Sequence, residues 1–170
     1  MRDHISVDRV AKLHPLVRGD VQHLIEQAEL GLPKGTAIRV VQGLRTIEEQ
    51  NALYAQGRTK PGDIVTKAKG GSSYHNYGLA IDFAILMDKN GDGYYDELSW
   101  DIKKDNDKDG MADWLEVVKV FEAAGWEWGG KWSSIKDYPH LQKTFGYSWQ
   151  QLFEKYNKKD FIDSMQYVKL

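Results

Sequence analysis

The run Ser73-Tyr74-His75-Asn76-Tyr77-Gly78-Leu79-Ala80-Ile81-Asp82 sets a histidine and an aspartate seven positions apart around a stretch that alternates small and apolar residues as a buried strand does. Far downstream, Asp137-Tyr138-Pro139-His140 sets a second carboxylate and a second histidine three apart. If the two segments meet, they supply two imidazoles and two carboxylates, which is the donor set of a catalytic zinc site. Such a site takes three protein ligands and leaves a fourth position for water, whose pKa the metal lowers toward roughly 7. His75, Asp82 and His140 as ligands, with Asp137 as the base that accepts the water's proton, meet that requirement. Stray His and Asp pairs are common, so on spacing alone a metal site and a coincidence both stay open.

The length of 170 residues and an apolar content of 41% allow one globular domain with a substantial core. There is no cysteine, so coordination must come from oxygen and nitrogen, and disulfides are excluded. Met1 to Asp20 has charge throughout and no apolar core of signal-peptide length, and no stretch elsewhere reaches membrane-span length. The expectation is a chain made in the cytoplasm. Residues 88 to 116 hold ten acids against four lysines, a net −6, which leaves +4 on the rest of a chain whose total is −2. A mildly basic body suits an anionic partner, although ordinary solvation accounts for it as well.

Leu16, Val17, Val21, Leu24, Ile25 and Ala28 recur at helical spacing after Pro15, which predicts a helix ending near Gly31. Ala37 to Val41 reads as a strand running into Gly43 and Arg45. Thr46 and Glu49 form a capping box that starts a second helix, ending about Gly57. Residues 58 to 72 read as a loop over the site. Gly78 to Phe83 reads as a buried strand with Gly78, Ala80 and Asp82 on one face. Asp82 as a plain strand-end cap is the competing reading. Trp114 to Ala124 predicts a core helix stopped by Gly125, Trp126 to Trp132 a strand with a glycine turn, and Ser148 the cap of a last helix. The tryptophans at alternating positions suit a core at least as well as a cleft lining. His4, His14 and His23 read as surface or helix-face residues.

Residues 105 to 116 match the EF-hand loop at positions 1, 3, 5, 6, 9 and 12. Asp105, Asp107, Asp109 and Glu116 would supply side-chain oxygens to calcium, Met111 its carbonyl, and Gly110 the sharp turn. A solvated acidic turn ahead of the helix is the plainer alternative. The earlier loop, with Asp88, Asn90 and Asp92 as donors, begins the same way but carries Ser99 where the bidentate glutamate belongs. A calcium sensor built from both loops is excluded, because the five residues between them cannot hold an exit and an entry helix.

The four ordered blocks Gln42-Gly43-Leu44-Arg45-Thr46, Ser73 to Asp82, Trp128-Gly129-Gly130-Lys131-Trp132 and Asp137 to His140 together resemble the LAS-type zinc peptidases of bacterial cell walls, above all the L-alanyl-D-glutamate endopeptidases. The resemblance covers roughly residues 10 to 155. It implies an α+β fold with a small central antiparallel sheet, flanking helices and a zinc cleft, here carrying the EF-hand-like acidic insert. It further implies hydrolysis of peptidoglycan stem peptides, by a phage endolysin or a wall-remodelling enzyme acting as a monomer, with no nucleic-acid partner. The metal ligands implied are His75, Asp82 and His140; Asp137 is the base and Arg45 stabilises the oxyanion or a substrate carboxylate. Ser73, Gln50 and Tyr138 are the implied substrate contacts. The alternatives are a D,D-carboxypeptidase or dipeptidase on the same scaffold, a catalytically silent peptidoglycan-binding protein, and a calcium-dependent wall-binding module.

Overall fold

The computed structural model describes residues 1–170. The elements in chain order are α1 (His4–Ala11), α2 (Pro15–Gly31), β1 (Thr36–Gln42), α3 (Ile47–Ala55), β2 (Ala80–Met87), β3 (Glu97–Ser99), α4 (Asp113–Ala123), β4 (Glu127–Trp128), β5 (His140–Gln142) and α5 (Trp149–Asn157). Single 3₁₀ turns at Tyr74–Tyr77 and Gly129–Lys131 interrupt the connections.

The sheet is antiparallel in every pairing and runs β1-β2-β5-β4. β2 is its axis. One edge of β2 pairs with β1, from Thr36↔Met87 to Gln42↔Asp82, with an irregularity between Val40 and Gln42. Its other edge pairs first with β5, where Asp82 lies opposite His140, and further along with β3. The near-continuous apolar run Phe83-Ala84-Ile85-Leu86-Met87 is buried throughout, as a central strand requires.

α2 and α4 pack together over β1 and β2, and Val17, Val21 and Ile25 join Phe83, Trp114, Val117 and Phe121 in one continuous apolar cluster. The ends of the helices follow local chemistry. The Thr46 hydroxyl accepts from Glu49 N at 3.1 Å and the Glu49 carboxylate from Thr46 N at 2.8 Å, so the expected capping box is present. Ser148 and Gln151 repeat the device on α5.

Three expectations need correction. Strand β2 begins at Ala80 rather than Gly78. Gly78 closes the preceding turn at φ +67, where an added Cβ would stand 2.7 Å from His14 N, so it does not share a strand face with Asp82. Only Glu127 and Trp128 of the 126–132 segment are strand, because the two glycines turn at once into a 3₁₀ helix. His14 is fully buried rather than superficial. Its Nδ1 accepts from Leu16 N at the start of α2, and its Nε2 lies 2.9 Å from Val168 O, pinning the C-terminal segment.

Candidate metal centre and cleft

Three segments converge on the wall of one cleft of about 790 Å³. His75 comes from the 3₁₀ turn ahead of β2, Asp82 from β2 itself and His140 from the first residue of β5. The cross-strand register that sets Asp82 opposite His140 brings together two residues 58 positions apart. His75 Nε2 lies 3.2 Å and His140 Nδ1 3.1 Å from the same Asp82 oxygen. Tetrahedral zinc with ligand arms of about 2.0 Å separates its donors by about 3.3 Å, so these spacings fit the ion.

The outward nitrogens of both rings are already engaged. His75 Nδ1 donates to Gly43 O at 2.8 Å, and His140 Nε2 is 3.0 Å from Gln142 Oε1. Each ring is therefore oriented with its remaining nitrogen toward the other ligands, donating to Asp82 in the metal-free chain, and would offer its lone pair once an ion displaced that proton. The histidines are 3% and 6% exposed, so the donor set is dry on the protein side. Burial opposes ionisation of Asp82, but the charge of His75 and the hydrogen bonds from His140 and His75 outweigh it and hold the carboxyl far below its usual range. Burial likewise opposes a charged His140, and its hydrogen bond and charge interaction with Asp82 overcome that and raise its pKa.

Asp137 and Arg45 line the same cleft. Burial, reinforced by the charge of Asp82, raises Asp137 above the usual carboxylate range; His140, His75 and Arg45 offset this only in part. A carboxylate whose pKa is raised is the more basic one, which suits the acceptance of a proton. Its placement comes from the WGG block. Asp137 N donates to Gly129 O at 3.1 Å, and a Cβ on Gly129 would meet Asp137 O at 2.5 Å, so only glycine allows this approach. The indoles of Trp128 and Trp114 both donate to Tyr138 O, at 2.7 and 3.3 Å, clamping the turn between Asp137 and His140.

Arg45 lies three residues beyond the end of β1, and its backbone N–H donates to His75 O at 3.0 Å. Its Nη1 donates to Gln50 Oε1 at 2.9 Å, while Gln50 Nε2 donates to Ala68 O at 2.8 Å. Gln50 is fully buried and absent from the cleft wall; it holds Arg45 and ties the 58–72 loop to α3. Ser73 does line the cleft, as do Ile64 to Ala68 of that loop. Tyr138 does not. Its ring lies 6.0 Å from that of Trp128. Among the tryptophans, Trp132 lines the cleft with its ring 5.1 Å from His140, and Trp126 sits in the core against Phe121.

Asn76, Gln142 and Glu127 lay outside the sequence expectations. Asn76 Nδ2 donates to the carbonyls of Arg45 and Thr46, and its Oδ1 accepts from Gly71 N, so one side chain joins three segments at the site. Its position inside the 73–82 block was the available signal. Nothing in the sequence marked the other two.

In the insert, the carboxylates of Asp105, Asp107 and Asp109 gather with ligating atoms within 4.8 Å of one another. Glu116 Oε2 is buried with no partner. Burial first, then the charges of Asp109, Asp107, Asp113 and Asp105, push the Glu116 carboxyl up to about 7. In the earlier loop Asp88 accepts from the backbone of Gly91, Asp92 and Gly93, and Asn90 donates to Asp92.

A family model described as D-alanyl-D-alanine carboxypeptidase, of the M15 peptidases, matches residues 66–143, a span that contains His75, Asp82, Asp137 and His140. The chain is 48% identical over 130 residues to the peptidoglycan L-alanyl-D-glutamate endopeptidase CwlK of Bacillus subtilis (strain 168), covering 76% of this chain and 72% of that protein. The chain belongs to this endopeptidase family. Within it, identity to the L-alanyl-D-glutamate peptidase of Listeria phage A118 is 28% over 141 residues, 82% of this chain but 41% of the phage protein. The crystal structure of the Serratia marcescens L-Ala D-Glu endopeptidase ChiX shares the fold, with a TM-score of 0.52 at 22% identity over 84% of this chain and 88% of that one. M15 peptidases are zinc-dependent, and the His75–Asp82–His140 donor set suits that ion.

Proposed function

We propose that the chain hydrolyses the L-alanyl-D-glutamate bond of peptidoglycan stem peptides, acting on the cell wall as a monomer. The observation that carries this reading is the meeting of His75, Asp82 and His140 with Asp137 and Arg45 in one cleft. Zinc held by the three ligands would polarise the scissile carbonyl and acidify the attacking water. Asp137 accepts the proton of that water and returns it to the leaving amine. Arg45, steadied by Gln50, presents its guanidinium to the oxyanion or to a substrate carboxylate, a task its fork geometry suits. Ser73 contacts the peptide, and the exposed apolar side chains of Ile64 and Val65 flank its path.

Mass spectrometry of purified peptidoglycan digested with wild type and with Asp137→Ala tests this. New stem peptides beginning with D-glutamate, from the wild type alone, are the expected result. Released D-alanine would instead identify a D,D-carboxypeptidase. No new termini from zinc-loaded protein would favour a binding protein.

The Asp105–Glu116 loop has a second role in this reading, as a calcium clamp on the segment joining β2 to α4. Three gathered carboxylates and the unpartnered Glu116 oxygen support it, and Met111 O completes the donors. The loop with Asp88, Asn90 and Asp92 is the weaker of the two. A melting temperature that calcium leaves unchanged would count against this role.

A further inference from the structure

The histidine closest to β4 is held by a chain of groups that extends past the cleft. His140 Nε2 meets Gln142 Oε1 at 3.0 Å, Gln142 Nε2 donates to Glu127 Oε2 at 2.9 Å, and Thr144 Oγ1 donates to the other Glu127 oxygen at 3.3 Å. The backbone fixes this order. Glu127 and Gln142 are register partners across β4 and β5, and Gln142 follows His140 by two on the same strand face. Gln142 is 7% exposed, so its amide has no free choice of solvent partners.

An amide side chain can face a neighbour with either its oxygen or its nitrogen. A carboxylate can only accept. With Glu127 on one end, Gln142 must turn its NH₂ outward and its oxygen toward His140. With a metal bound, His140 must then carry its proton on Nε2, which frees the Nδ1 lone pair for the ion on the side of Asp82 and His75. The charge on Glu127 thus selects, through Gln142, the one histidine tautomer that can ligate a metal. His75 needs no such relay, because its Nδ1 donates directly to the Gly43 carbonyl, a group that accepts only.

We propose that Glu127 and Gln142 are positioning residues that fix the tautomer and ring orientation of His140 for zinc. The proposal rests on the reading of His75, Asp82 and His140 as the zinc ligands. It distinguishes the pair from ordinary sheet-edge polar residues, whose replacement would alter stability and leave metal affinity untouched.

The test is zinc affinity, measured by competition with a chromophoric chelator, together with the melting temperature of the zinc-free proteins. Gln142→Leu removes the acceptor, and its zinc Kd is expected to weaken about 10- to 100-fold. Glu127→Gln leaves an amide that can pair in either direction, so both tautomers become available and the Kd weakens several-fold. The exchange variant Glu127→Gln/Gln142→Glu places a carboxylate directly against His140 Nε2–H and an amide beyond it. It restores the fixed direction and should return the Kd to within about threefold of wild type. Unchanged affinity in Gln142→Leu, or an exchange variant no better than Glu127→Gln, overturns the relay while leaving the ligand assignment intact. Wild-type protein that binds no stoichiometric zinc overturns the ligand assignment and the relay with it. The exchange variant keeps every hydrogen-bonding group in place, so a Gln142→Leu protein that misfolds does not remove the test.

Discussion

At the scale of single residues, the cleft separates holding a metal from moving a proton. Asp137→Ala is expected to retain one zinc per chain and lose turnover by about 10²- to 10⁴-fold, the range typical of a general base. His75→Ala is expected to lose the zinc itself; metal analysis beside a turnover assay checks both. A finer prediction concerns Gly129, where a methyl group would press on the Asp137 carbonyl at 2.5 Å and on His140 Cβ at 3.2 Å. Because small displacements of a catalytic group are costly, Gly129→Ala should lower kcat by about 10- to 100-fold, read at saturating zinc. The residues that meet in the cleft were legible in the sequence, because His75, Asp82, Asp137, His140 and Arg45 sit in ordered blocks of fixed spacing. Those that act by holding others were not. Gln142 and Glu127 acquire their relation from strand register, and Tyr138, expected in the cleft, takes part through its backbone carbonyl, which accepts from Trp128 and Trp114.

At the scale of elements, periodicity revealed what packing had shaped strongly. Helices α2 and α4 repeat their apolar residues every three or four positions and were plain. Helix α1 was not anticipated, since two of its apolar residues, Ile5 and Val7, are 44% and 43% exposed while Ser6 is buried, so no apolar stripe marks it. Strands β3, β4 and β5 have two or three residues each, too few to display a period of two. The acidic insert carries its own pH prediction. Glu116, with a reference value of 4.5, is raised to about 7 in the folded chain. A carboxyl raised on folding stabilises the protein below its unfolded pKa and loses that contribution as pH rises through the folded one. Metal-free protein should therefore lose stability through this group between about pH 4.5 and 7. Calcium, which favours the carboxylate, should raise the melting temperature more at pH 8 than at pH 5, and Glu116→Gln should abolish the difference.

For the whole molecule, the metal is expected to act as a fastener between distant parts of the chain. Zinc at 100 times its Kd would add about 2.7 kcal/mol by mass action, and for a chain of this size that raises Tm by roughly 5–10 °C. Calorimetry of calcium-free protein with and without added zinc measures the shift, and in His140→Ala zinc should change nothing. The fold class was legible through the four blocks. The way the sheet is joined was not, because it depends on contacts between residues 58 positions apart that no local pattern announces.

The pairing of Asp82 with His140 across adjacent strands also sets a timetable. His75 and Asp82 leave the ribosome long before β5 is made, so a nascent chain holds two donors and lacks both the third and the strand that aligns it. Metal capture is thus a late event by construction, and in refolding experiments the arrival of the ion marks the moment at which the sheet is complete.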